Sequence, residues 1–211
     1  MGERGAILQA DFYNRKTETV ARELLGKTLV HELRAGKKTV RLSGRIVEVE
    51  AYLGAKDLAA HSSGGKVTPR TRTMYMGAGH AYVYLIYGLH FCLNVVTREP
   101  GEPQAILIRA IEPVEGVEVM RAKRPSAKKD RDLTSGPGKV CAALGLDKSF
   151  DASLMTAPPL YIEDAPKIKK SHVLTSPRIG VDYAGEHALW PLRFSISGNP
   201  YVSKPQPQRE A

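Results

Sequence analysis

The chain has 211 residues, 42% of them hydrophobic, which suffices for one substantial core and favours a single domain over two. With 31 Lys and Arg against 22 Asp and Glu its formal net charge is +9; this disfavours acidic partners and favours phosphate-rich ones, nucleic acid first, with a surface merely solubilised by lysine as the plain alternative. The two cysteines, Cys92 and Cys141, lack the spacing of a disulfide framework or a Cys-rich zinc site, no signal-like apolar stretch opens the chain, and no later run approaches a membrane span. A cytoplasmic protein with no membrane contact is expected.

Thr17 to Leu25 predicts a short helix, with Thr17 as cap, Val20, Leu24 and Leu25 on one face and Gly26 as stop. Strands are expected at Thr28–Leu33, Thr39–Leu42 and Arg45–Tyr52, separated by turns at 35–38 and Ser43–Gly44. Leu53 to Thr73 is rich in Gly, Ser, Lys, Arg and Pro and predicts a long functional or mobile loop, with one helical turn at Asp57–His61. Tyr82–Ile86 and Phe91–Val96 read as a hairpin reversing at Gly88, which places Tyr87 at or beside its tip. A strand at Gln104–Ile111, a helix at Val114–Lys123, a polar connection to Arg131 and a helix from Ser135 to Leu144 follow, then strands near Leu160–Ile162, Arg178–Val181 and Arg193–Ile196. Residues 1–204 are expected to form the domain and 205–211 a frayed tail.

Alternation along Arg45–Tyr52 puts Glu48 and Glu50 on one side with Val47 and Val49 toward the core, and Tyr52 shares the side of Glu50. Strand glutamates are ordinarily solvent-facing. A carboxylate is nevertheless what hydrolysis at a sugar's anomeric carbon requires, because the attacking water must lose a proton while the sugar develops oxocarbenium character. Tyr82 reads as core packing. Tyr87 reads either as packing or as a wedge into the gap left by an extruded nucleotide. Asn94 and Arg109 are polar residues in apolar runs, either core hydrogen-bonding groups or contacts to a purine edge and to phosphate or water. Gly136-Pro137-Gly138-Lys139 lacks the full phosphate-loop spacing, and the six histidines form no metal-ligand pattern, so neither nucleotide hydrolysis nor a metal or other cofactor is expected.

Gly44 to Gly54 (GRIVEVEAYLG), then Ala59-Ala60-His61-Ser62, Thr68-Pro69-Arg70, Tyr82 to Gly88 (YVYLIYG), Phe91-Cys92-Leu93-Asn94, Leu107 to Pro113, Ser135-Gly136-Pro137 with Lys139, Arg178 to Val181 and Ala184-Gly185-Glu186 together resemble the alkyladenine (3-methyladenine, methylpurine) DNA glycosylase family over most of the chain and in its order. The resemblance implies a single mixed α/β domain with a curved antiparallel sheet flanked by helices, similar to the C-terminal domain of formyltransferases. It implies monofunctional hydrolysis of damaged purines from duplex DNA, with no strand cleavage, by a monomer working on DNA in the cytoplasm or nucleoid. By the same resemblance Glu50 is catalytic, Arg109 and the backbone at Ile179 help place the water, and Tyr52, His61 and Tyr84 hold the flipped base. Asn94 would disfavour guanine's exocyclic amine, Tyr87 would enter the duplex, and Lys66, Thr68, Arg70 and Lys139 would meet the DNA backbone. A noncatalytic nucleic-acid-binding module and a formyltransferase-like small-molecule enzyme are the rival readings.

Overall fold

The computed structural model describes residues 4–36 and 38–206. Four helices, α1 (Ala10–Tyr13), α2 (Thr17–Leu24), α3 (Val117–Lys123) and α4 (Pro137–Leu144), accompany nine strands: β1 (Thr28–Ala35), β2 (Lys38–Tyr52), β3 (Ala81–Ile86), β4 (His90–Thr97), β5 (Gln104–Glu115), β6 (Thr156–Ala157), β7 (Leu160–Glu163), β8 (Val173–Ser176) and β9 (Arg193–Ile196). All strand pairs are antiparallel, in the order β3-β4-β5-β2-β1-β7-β6, with β8 on β9 and β9 on β2. The 15-residue β2 organises this curled sheet: one edge pairs with β5 from Ser43 to Tyr52, while the other pairs first with β1 up to Arg45 and then with β9 at Glu48–Glu50. The result is one mixed α/β domain.

One face of the sheet carries the main core. Val47, Val49 and Ala51 of β2, Val83 of β3, Leu93 and Val95 of β4, and Ile106 and Ile108 of β5 pack with Val20, Ala21 and Leu24 of α2 and with Val140, Cys141 and Leu144 of α4. These helices keep their apolar stripes inward, and each fully buried aliphatic side chain contributes roughly 1.5–3 kcal/mol over its exposed state. Both cysteines are buried free thiols. No described helix is long and apolar enough to cross a membrane.

Several elements depart from expectation. Ser43–Gly44 makes no turn, because β2 runs straight through it with a register shift against β5; a Cβ on Gly44 would meet Ile111 Cδ1 at 2.6 Å, so this glycine permits close packing, not reversal. Thr17 is the first helical residue instead of the cap, and its hydroxyl turns inward to Thr97 and Gln104 at 2.8 and 2.6 Å. The strand expected at Arg178–Val181 is irregular backbone, because the Ile179 N–H is engaged by a side chain instead of a ladder. The Leu53–Thr73 loop is an ordered chain of short 3₁₀ turns at 54–56, 63–65 and 72–75. Of the expected tail, residues 207–211 lie outside the described part, while the Pro205 carbonyl accepts a hydrogen bond from Arg193 at 2.9 Å.

The helix expected from Val114 begins only at Val117, because β5 extends to Glu115, which Arg41 and Ser43 hold at 2.5 and 2.8 Å. Gly116 makes the transition in the left-handed region at φ 71°, where a Cβ would meet the Arg41 carbonyl oxygen at 2.7 Å. Gly116→Ala is therefore expected to lower the unfolding free energy by about 2 kcal/mol in urea titration. An unchanged midpoint would mean that the strand-to-helix corner relaxes freely.

Candidate active site

The face of the sheet opposite the helices is polar and aromatic because register aligns it. Tyr82 pairs with Asn94, Asn94 with Leu107, Leu107 with Glu50 and Glu50 with Arg193, so one row crosses β3, β4, β5, β2 and β9. Residues two positions along each strand share that face. They add Tyr84 beside Cys92, and Tyr52 beside Ala105.

Both strand glutamates are fully buried, not solvent-facing. Two irregularities bring a cation to them: β2 carries an extra residue, Val47, before the pair Glu48–Ala110, and β5 carries an extra residue, Arg109, before Val49–Ile108. A bulge re-aims the side chain it displaces. Arg109 Nε thus donates to Glu48 Oε1 and Nη1 to Glu50 Oε2, both at 3.2 Å. Glu48 is otherwise closed, accepting from Arg193 Nε at 2.6 Å, Ser203 Oγ at 2.8 Å and Ser203 N–H at 2.7 Å. Glu50 accepts from the Tyr52 hydroxyl at 2.9 Å and the Ile179 N–H at 2.8 Å. These two partners and Arg109 line a cavity of about 260 Å³.

The cavity wall also includes His61, Tyr82, Tyr84, Tyr87, Asn94 and Tyr183. His61 stands edge-on to Tyr84, centroids 4.6 Å apart at 82°, and Tyr84 stacks on Tyr82 at 5.1 Å. The Arg70 guanidinium lies 5.4 Å above the Tyr84 ring, and its Nη2 is 3.2 Å from His61 Nε2. A guanidinium can only donate. Nε2 therefore accepts, leaving Nδ1–H to donate to the Tyr82 hydroxyl at 2.9 Å, the neutral tautomer. Packing around the ring, and then Arg70, push the His61 pKa down to about 4. Burial, reinforced by the Glu50 charge, raises Tyr52 well above the usual phenol value, and burial likewise raises Tyr84 and holds the Cys92 thiol up at about 11.

Tyr87 sits at the hairpin tip with φ 53°, 83% exposed, followed by Gly88 at φ 67°. A left-handed tyrosine is uncommon and costs of order 1–2 kcal/mol, strain that the surrounding turn must hold. Asn94 Nδ2 donates to the Tyr82 carbonyl at 3.3 Å. Lys66 and Thr68 lie on the exposed loop and do not line the cavity, and their backbone is braced by Thr71. Lys139 reaches Ser135 Oγ at 3.3 Å in a second cavity, on the other side of Arg109. Among the described residues no group of three His, Cys, Asp or Glu is placed to hold a metal.

Four residues of this site carry no local signal in the sequence. Arg193 was read only as strand; Asp57 and Arg178, 121 residues apart, meet here as a fully buried pair. Tyr183, 69% exposed at the cavity mouth with its hydroxyl donating to the Ala59 carbonyl at 3.1 Å, carries no pattern that would have singled it out.

Fold and site define a class in which a curled antiparallel sheet holds a buried carboxylate beneath a ring-lined cavity. The chain belongs to the methylpurine-DNA glycosylase family, whose model it matches over residues 11–200. It is 52% identical over 202 residues to a protein of Methanocella arvoryzae whose provisional name is 3-methyladenine DNA glycosylase, covering 95% of this chain and 98% of that one. Against the DNA-3-methyladenine glycosylase of Mus musculus it is 46% identical over 207 residues, 93% of this chain and 61% of the mouse protein.

The depressed His61 pKa has a signed consequence. Between its usual 6.5 and about 4 the unfolded chain takes a proton that the folded one refuses, so this contribution to stability is whole above pH 6.5 and is lost as pH falls toward 4. Arg70→Ala should move the His61 midpoint upward, read by NMR titration of the ring protons. An unmoved midpoint would assign the depression to packing alone.

Proposed function

We propose that the protein is a monofunctional DNA glycosylase that extrudes an alkylated or deaminated purine nucleotide, such as 3-methyladenine, 7-methylguanine or hypoxanthine, and hydrolyses its N-glycosidic bond. The observation that carries this reading is the Glu50 carboxylate, held against the cavity by Tyr52, Arg109 and the Ile179 N–H. A carboxylate so oriented takes the proton of a water attacking C1′ while the sugar passes through an oxocarbenium-like state. The bond to the base breaks, leaving a hydroxyl on C1′ of the abasic sugar and the free base. A cationic base such as 3-methyladenine leaves neutral without further help, whereas hypoxanthine departs more readily with a proton.

Tyr52, His61 and Tyr84 supply uncharged ring surfaces for the extruded base, and Asn94 on the wall acts against guanine's exocyclic amine. Extrusion costs a few kcal/mol, less for a damaged or mispaired base. Tyr87, exposed and locally strained at the tip, fills the vacated stack. The net charge of +9 supports salt-sensitive backbone binding without sequence readout, with Lys66, Thr68, Arg70 and Lys139 as the contacts. Attack by a water that Glu50 activates forms no Schiff base, so strand cleavage is not part of this reading.

Glu50→Gln should keep its affinity for duplex DNA and slow base release by about 100-fold or more in single-turnover assays on hypoxanthine- or 3-methyladenine-containing duplexes. Release at the wild-type rate would remove Glu50 from the chemistry. Tyr87→Ala should reduce the flipped population reported by a fluorescent base analogue opposite the lesion. Unchanged fluorescence would leave the tip without a role in extrusion.

A further inference from the structure

Asp57 and Arg178 are both fully buried in side chain and meet in a two-pronged pair, Nη1 on Oδ2 at 2.5 Å and Nη2 on Oδ1 at 2.9 Å. The remaining hydrogen bonds of the two groups run to four other residues. Arg178 Nη1 donates to the Ala51 carbonyl, between Glu50 and Tyr52 on β2, at 3.0 Å, and Nη2 to the His187 carbonyl at 3.1 Å. Asp57 accepts the Leu53 N–H on Oδ2 and the Ala59 N–H on Oδ1, each at 3.0 Å. The guanidinium carbon also lies 4.8 Å over the Tyr52 ring. Burial pushes the Asp57 carboxyl up, and the Arg178 hydrogen bonds with the Leu53 amide more than reverse this, leaving it below the usual carboxylate range.

Ala59, Ile179 and Tyr183, which line the cavity from outside the strands, connect to this pair. Arg178 immediately precedes Ile179, whose N–H meets Glu50 Oε1. Ala59, fixed by Asp57, takes the Tyr183 hydroxyl on its carbonyl and stands two residues before His61. We infer that Asp57 and Arg178 are positioning residues for base release: the pair aims the Ile179 N–H at Glu50, backs the Tyr52 ring whose hydroxyl meets the same carboxylate, and sets the distance between that carboxylate and the His61 wall. Both side chains are fully buried and neither lines the cavity, so the pair acts through Ile179, Tyr52 and Ala59. Its effect therefore falls on the chemical step and not on the encounter with DNA, because a displacement of about 1 Å in a reacting group can cost about 100-fold in rate.

This inference rests on the reading of Glu50 as the group that activates water. The test is the single-turnover rate at saturating enzyme on hypoxanthine-containing duplex, for Asp57→Asn and for Arg178→Lys, which keeps the charge and loses the fork. Both variants should fall by about 100-fold at saturation while the Kd for the same duplex stays within about threefold. Partial unfolding alone would raise the enzyme concentration needed for saturation and leave the saturated rate unchanged, so a purely structural role is distinguishable. Where Asp57→Asn does not fold, Arg178→Lys carries the test. A wild-type saturated rate in either folded variant, with Glu50→Gln inactive, overturns the positioning role and leaves the proposed function standing. A wild-type rate in Glu50→Gln itself overturns the proposed function and this inference with it.

Discussion

Two buried carboxylates two residues apart on one strand set the terms for the rest of this structure. An isolated charge in the interior is costly, and it persists only when paired and hydrogen-bonded. Arg109 lies between Glu48 and Glu50 and bonds both, and Arg193 completes the charge balance from β9. The bulged register of β2 and β5, the pairing of β9 with β2 and the return of Ser203 to Glu48 all serve that balance. The two acids nevertheless end in different states. Both oxygens of Glu48 are closed off by Arg193 and Ser203 besides the shared Arg109, whereas every partner of Glu50 is itself cavity wall.

Above this charged layer the rings are kept neutral. Burial drives tyrosines and histidine in opposite pKa directions but toward the same uncharged form, seen in the raised Tyr52 and Tyr84 and the lowered His61. The cavity therefore offers flat, uncharged faces, with formal charge confined to Glu50 and Arg109 below and Arg70 at the side. Under the proposed function, that division suits a purine whose own charge differs from one lesion to another, since stacking tolerates both and the carboxylate favours positive character at the sugar.

The sequence made much of this arrangement legible, and its gaps have physical causes. Period-two alternation correctly joined Glu48, Glu50 and Tyr52 on one side, and the hairpin around Gly88 followed from its flanking apolar runs. Alternation cannot say which side of a strand meets solvent. The glutamates are buried because Arg109 and Arg193 arrive from about 60 and 145 positions away, and nothing local announces them. The Asp57–Arg178 pair, 121 positions apart, is silent in the sequence for the same reason. Ser43–Gly44 looked like a turn because composition does not separate a glycine that reverses the chain from one that lets a neighbouring strand come close.

The bond from the Ser203 N–H to Glu48 spans 155 residues, and it bears on how the molecule is made. Domains emerge from the ribosome N-terminal end first, and distant pairings form late because chain closure precedes their gain. While β2 is already available to pair, the groups that cap Glu48 from β9 and Ser203 are still unsynthesised. In that interval water must solvate the carboxylate, so the polar face of the sheet stays wet after the helical face has begun to pack. The drying of the site then waits for Arg193 and Ser203, which are synthesised 145 and 155 residues after the carboxylate they close over.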